Sequence, residues 1–246
     1  MDEGPLPVVD LHEGEEGIVY HLAGGKGLTH AIFGKLRHYG VDIVTGGNHS
    51  FANADIMEDY HRDNRLLRPL NLPAGNAGTG KTLAFLDNGS SVGIVNLQGR
   101  IYFHENIDDP FRAGLNAIEE LRATTPCIIV DFHAEATSEK IAFAQYIDGK
   151  ATAVIGTHTH VQTADERILP GGTAFISDAG MTGPEKSVIG MKSEIVIKKF
   201  LLQTHQRFEP SQEGPMLNAV LVSCDEKSGK ATAIKRIYER LEFGNE

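Results

Sequence analysis

The 246-residue chain carries 23 Lys and Arg against 33 Asp and Glu, a formal charge of −10, with 41% hydrophobic and 23% charged residues. That balance excludes disorder, collagen and coiled coil, and leaves enough apolar residues for a sizeable core. The acidity argues against duplex nucleic acid as a partner, because neutralising phosphates takes clustered Lys and Arg. No apolar run reaches the ~18 residues of a membrane span, and residues 1–7 lack the basic and apolar regions of a signal peptide; a cytoplasmic protein is expected. Cys127 and Cys224 stand far apart without CxxC spacing, so neither a disulfide framework nor a thiolate zinc site is suggested.

No repeat, low-complexity tract or linker divides the chain, so residues 1–246 read as a single α/β domain. From Thr29, Ile32, Phe33, Leu36 and Tyr39 fall at helical spacing and Gly40 is placed to stop the helix. A strand over 41–45 follows. Apolar runs at 83–86 and 92–97 flank Asp87-Asn88-Gly89-Ser90-Ser91, the turn chemistry of a hairpin. A helix over 111–122 with Leu115, Ile118 and Leu121 on one face leads to a strand over 127–130, and a helix over 137–146 to a strand over 152–155. Runs at 218–223 and 231–237 around Glu226-Lys227-Ser228-Gly229-Lys230 read as a second hairpin, which makes the sheets mixed.

Residues 75–82, Gly-Asn-Ala-Gly-Thr-Gly-Lys-Thr, satisfy the phosphate-loop pattern of an ATPase, and Cys127 to Asp131 imitate its acidic strand. The physics demands a buried strand before the loop and a helix after it. Pro69 and Pro73 precede it, and the run at 83–86 ends after four residues. A Gly-rich surface loop is expected instead, and the P-loop ATPase is the remote alternative.

Histidine, with 11 copies, is the informative entry in the composition. Three expected strands run into Gly46-Gly47-Asn48-His49, Asp131-Phe132-His133-Ala134-Glu135 and Thr157-His158-Thr159-His160. Ligands of open α/β sheets bind at the carboxyl ends of strands, so these clusters can meet. In an extended segment His158 and His160 would point the same way. Imidazole and amide donors suit a first-row transition ion better than calcium or magnesium. A fourth run, Ala174 to Gly180, could place the Asp178 carboxylate behind the ligands.

These motifs, with Asn96-Leu97-Gln98-Gly99-Arg100, Ala136-Thr137-Ser138-Glu139-Lys140, Val161-Gln162-Thr163-Ala164-Asp165 and Asp178-Ala179-Gly180-Met181-Thr182-Gly183-Pro184, resemble the YmdB-type branch of the calcineurin-like metallophosphoesterases. The similarity runs from about Gly25 to the C-terminus. It implies a layered α/β/β/α sandwich with mixed sheets, a dinuclear iron or manganese centre, and hydrolysis of 2′,3′-cyclic nucleotides or related small phosphodiesters. By the same resemblance Asn48, His133 and His158 would hold one metal, His160 the other, and His49 would protonate the leaving oxygen. A homo-oligomer is compatible with this reading.

One part of the family pattern is missing. The family opens with a strand ending in Gly-Asp, a helix, and a second strand ending in Asn-Gly-Glu-Asn, which supply the anionic ligands. Only 24 residues precede Gly25, and no Asn-Gly-Glu-Asn occurs. The first βα unit is therefore expected to be absent, with 1–24 a divergent or truncated segment. Glu15 is the candidate bridging ligand if 6–12 forms the second strand; the favoured alternative is a solvated acidic loop. Without a bridging carboxylate, two divalent ions ~4 Å apart repel by on the order of 16 kcal/mol at an effective dielectric of 20. The expectation is one weakly held ion, or recruitment of Glu15 or Asp10. The competing functional reading is a metal-impaired homologue that binds or regulates rather than turns over substrate.

Overall fold

The computed structural model describes the strand residues Val19 and Tyr20, residues 27–86 and residues 88–240. In chain order the elements are β1 (Val19–Tyr20), α1 (His30–His38), β2 (Ile43–Thr45), α2 (Met57–Arg62), β3 (Leu66–Leu67), β4 (Lys81–Phe85), β5 (Ser91–Gln98), α3 (Pro110–Arg122) and β6 (Ile128–His133). They continue with α4 (Thr137–Tyr146), β7 (Ala153–Thr157), β8 (Arg167–Ile168), β9 (Ala174–Ile176), β10 (Gly183–Pro184), α5 (Ser193–Leu202), β11 (Pro215–Cys224) and β12 (Ala231–Arg240). The chain is thus mixed α/β, with several sheets and few helices.

Local chemistry sets the element ends. Thr29 caps α1 by accepting from the Ile32 N–H at 3.3 Å, and Gly40 takes φ +88° just beyond its end. Asp109 caps α3 in the same way, with Pro110 in the first turn. The expected helices over 111–122 and 137–146 and both expected hairpins are present.

The central sheet runs β4-β5-β6-β7-β9-β8. Strands β5, β6, β7 and β9 are parallel, with β4 and β8 antiparallel at its edges. Val95, Leu97, Val130, Phe132 and Val154 pack on one face with Ile118 and Leu121 of α3 and Phe143 of α4. This double coverage is why the parallel strands read as continuous apolar runs. Ile94 packs with Ile43 of β2 and Leu67 of β3, while Phe33 and Leu36 of α1 pack with Val44, Leu66 and Tyr60. The β11–β12 hairpin rests on β7 and β9 through Val222, Ile234 and Ala231.

Segment 75–82 enters a strand, not a helix: Lys81 and Thr82 open β4, paired antiparallel with β5, and the Lys81 ammonium pairs with Glu120 of α3. The phosphate-loop geometry is therefore missing. Strand β1 pairs in parallel with β2 and leads into α1, so a βαβ unit begins at Val19, inside the segment that the sequence set apart. Glu15 and Asp10 lie outside the described residues. Among the described residues no helix is long and apolar enough to cross a membrane.

Candidate functional site

Register aligns the site. Across β5, β6 and β7, Gln98 pairs with His133 and His133 with Thr157; two residues back, Asn96 pairs with Asp131 and Asp131 with Ile155. Residues two apart on a strand share a face, so this row of polar side chains emerges at the carboxyl edge, on the face away from the large apolar core.

Asn48 comes from the turn after β2. Asn96 clamps that turn, its amide accepting from the Gly46 N–H at 3.3 Å and donating to the Gly46 carbonyl at 3.1 Å. A side chain at Gly47 would collide with the His133 imidazole, so only glycine lets the turn approach this closely.

Three donors converge there. Asn48 Oδ1 lies 3.0 Å from His133 Nε2, and His158 Nδ1 lies 3.1 Å from the same nitrogen. The surrounding hydrogen bonds assign the tautomers. Thr157 Oγ1 donates to Asp131 Oδ1 at 2.8 Å, so it accepts from His133 Nδ1–H at 3.2 Å, and His133 Nε2 keeps its lone pair. His158 Nε2–H faces Glu135 Oε2 at 2.9 Å, which leaves a lone pair on Nδ1. Burial holds His158 below the ordinary imidazole range despite Glu135, favouring the neutral ring. Two imidazole lone pairs and an amide oxygen therefore face one another, an arrangement that a cation relieves. These three could hold a metal ion. Bonds of about 2.0–2.2 Å to one ion place neighbouring donors about 3.0–3.5 Å apart, which the two separations from His133 Nε2 match. Among the described residues no three His, Cys, Asp or Glu side chains are arranged to hold a metal ion by themselves; the amide completes the trio.

Behind the trio, burial pushes the Asp131 carboxyl up to about 6, opposed by the Thr157 hydrogen bond. Lys140 and Asp178 form an ion pair of 2.9 Å with side chains 1% and 2% exposed. Asp178 Oδ2 also accepts from the Thr159 N–H at 2.9 Å, fastening the loop that bears the histidines.

That loop corrects an expectation. His158 and His160 do not lie in an extended segment: β7 ends at Thr157, and their φ angles are 111° and 67°. The two rings are therefore not paired by strand alternation. His158 joins the trio, while His160 Nδ1 lies 3.3 Å from the Ile189 carbonyl oxygen. His49 is exposed beside the trio, its Nε2 3.4 Å from Asn48 Nδ2.

The family model described as "YmdB-like protein" matches residues 19–237. The chain belongs to the YmdB-like family. It is 45% identical over 217 residues to the 2′,3′-cyclic-nucleotide 2′-phosphodiesterase of Bacillus subtilis, covering 88% of this chain and 81% of that protein. Among solved structures it is similar to a hypothetical protein from Thermus thermophilus, with TM-score 0.80 and 38% identity over 87% of this chain and 82% of that one. It is also similar to a novel phosphatase from Mycoplasma pneumoniae, with TM-score 0.79 and 36% identity over 87% and 77% of the two chains.

This YmdB-like site contains contributors that the sequence reading did not single out. Glu135 orients His158, Thr157 and Asp131 orient His133, and the Phe103 ring lies 4.9 Å from the His158 ring and 6.2 Å from that of His133. Glu135 and Asp131 were inside the quoted motif; Phe103 sits in a loop with no periodic signal.

Proposed function

We propose that this chain is a metal-dependent phosphodiesterase that hydrolyses 2′,3′-cyclic nucleotides, on a four-layer α/β/β/α sandwich. The carrying observation is the convergence of Asn48 Oδ1, His133 Nε2 and His158 Nδ1, with both imidazole protons directed outward to Thr157 and Glu135.

In this reading Asn48, His133 and His158 hold one iron or manganese ion. When bound, such an ion supplies positive charge for the phosphoryl oxygens and acidifies water to a nucleophile near neutral pH. The protein's share is orientation. Thr157 and Asp131 lock the His133 ring, Glu135 locks His158, and Asn96 holds the turn that presents Asn48 and His49. Phe103 shields one side of the two imidazoles from water. His49, exposed beside Asn48, donates the proton to the departing oxygen. His160 serves a second ion, for which Glu15 is the candidate bridging ligand. The relative's printed activity supports the substrate class.

The test is hydrolysis of 2′,3′-cyclic AMP and bis-p-nitrophenyl phosphate with added manganese or iron. Activity unchanged in both His133→Ala and His158→Ala overturns the proposal. A binding protein with impaired metal loading is the second reading, favoured by one observation: His160 is the sole proposed second-ion donor among the described residues. It falls if the pure chain turns over the cyclic nucleotide repeatedly and loses this with chelator.

A further inference from the structure

A cavity of about 270 Å³ adjoins the trio between the Asn48 turn and the end of β5, lined by Gly47, Asn48, Phe51, Leu72, Gln98 and Glu105 among others. Gln98 is fully buried and stands in register beside His133. Its backbone is pinned on both sides by Asn71, which donates to the Gln98 carbonyl at 2.8 Å and accepts from its N–H at 3.0 Å. Its side-chain Nε2 faces the Glu105 carboxylate at 3.5 Å, and a carboxylate only accepts, so the amide cannot be reversed. Gln98 Oε1 is therefore the free end of the amide, buried and without a hydrogen-bond partner. A buried acceptor left unmade costs free energy, which a water, an ion or a ligand hydrogen bond would offset.

The lining also says what kind of ligand. Its polar lining combines the Glu105 carboxylate and the Gln98 amide with the Asn48 amide and the Ser50 hydroxyl, which can also donate; its walls are apolar, Phe51 and Leu72; among the described residues no cation lines it. The Glu105 charge repels a phosphate, and the lining receives a neutral group with apolar faces whose polar atoms donate and accept hydrogen bonds. The volume lies below the 300–1,000 Å³ typical of whole drug-sized ligands, which suits one part of a substrate.

We propose that this cavity is the nucleoside subsite, and that Gln98 Oε1 accepts a hydrogen bond from the sugar or base while the phosphodiester lies at the trio. The proposal rests on the phosphodiesterase reading for the position of the phosphate. Gln98 is a specificity residue here, not a reacting group.

The experiment compares wild type, Gln98→Leu, and Leu72→Trp, which adds bulk to the cavity wall and leaves Gln98 unchanged. The readouts are the ratio of kcat/KM for 2′,3′-cyclic AMP over bis-p-nitrophenyl phosphate, which has no nucleoside, and binding of adenosine by saturation-transfer NMR. The expected result is a fall in that ratio of about tenfold or more, expressed mainly in KM, with loss of adenosine binding in both variants. A ratio within about twofold of wild type in both variants, or a parallel fall for both substrates, overturns the proposal. If Gln98→Leu fails to fold, Leu72→Trp decides. Should wild type hydrolyse neither substrate, the phosphodiesterase reading fails, and adenosine binding alone decides the subsite: binding lost in the variants upholds it, and no binding by wild type refutes it.

Discussion

The two ends of the central sheet spend their polar residues differently. At the amino end, side chains close the backbone: Thr152 Oγ1 accepts from the Ile128 N–H at 2.9 Å and donates to the Gly229 carbonyl at 2.7 Å, and Thr125 Oγ1 donates to the Ser91 carbonyl at 2.6 Å. At the carboxyl end, side chains bond to other side chains, from Asp131 through Thr157 to His133, whose Nε2 meets Asn48 Oδ1 and His158 Nδ1. The first arrangement ties side chains to backbone; the second brings two imidazole nitrogens and an amide oxygen together at one point. Closed polar groups stabilise, whereas a preorganised open set can bind and react.

The strongest way to test this contrast is the pair beneath the open end. Lys140→Met leaves Asp178 charged and buried, and is expected to destabilise the fold by about 3–5 kcal/mol. For a chain of this size that lowers Tm by roughly 6–20 °C. Lys140→Met with Asp178→Leu should recover much of the loss. A single variant within about 1 kcal/mol of wild type would show that the pair is not a structural requirement of the histidine loop.

Next in size is the trio itself. His133→Ala or His158→Ala should lower kcat/KM for bis-p-nitrophenyl phosphate by about 100-fold or more and release a bound ion, measured by elemental analysis of the purified protein. His160→Ala should keep that ion. Equal loss of metal in all three variants would merge the two halves of the histidine loop into one centre. Glu135→Gln, which preserves an acceptor while removing its charge, should cost about tenfold.

At the closed end, Thr152→Val leaves the Ile128 N–H and the Gly229 carbonyl unpaired. It should cost about 1–3 kcal/mol of stability in chemical denaturation and leave kcat/KM unchanged. A loss of activity without a loss of stability would erase the distinction between the two ends.

How much of this the sequence disclosed follows the same division. Clusters at 46–49, 131–135 and 157–160 were legible because β-branched runs announced strands, and the carboxyl ends of parallel strands are where chemistry gathers. The helix over 111–122 was legible because the spacing of Ile118 and Leu121 agrees with their burial in the large core, where a side chain at Gly114 would press on Leu97 and Phe143. Helix α5 was missed because its apolar residues do not report burial: Phe200, Leu201 and Leu202 are exposed, and of the helix only Val196 is buried. The geometry of His158 and His160 was misjudged because strand alternation was extended past Thr157, where the Asp178 bond to Thr159 bends the chain into positive φ. Gln98 and Phe103 were invisible as site residues because register and loop closure, not local pattern, bring them to His133.

The smallest expected effect lies at the closed end of β6. Cys127 precedes the strand that ends in His133, and its Sγ lies 3.8 Å from that of Cys224, a neighbour 97 residues away in sequence. Burial, reinforced by Cys224, pushes the Cys127 thiol up to about 12 from the ordinary value near 9. Its raised value means that the folded state prefers the neutral thiol. The associated stability is present in full below pH 9 and is lost as pH rises from about 9 toward 12. Because the thiolate is the nucleophile, iodoacetamide at pH 8 should label Cys224 and spare Cys127 in the native protein, and label both in denaturant, as read by peptide mass mapping. Native labelling of Cys127 as fast as Cys224 would mean that this end opens readily. The closed and open ends would then differ in chemistry alone and not in rigidity.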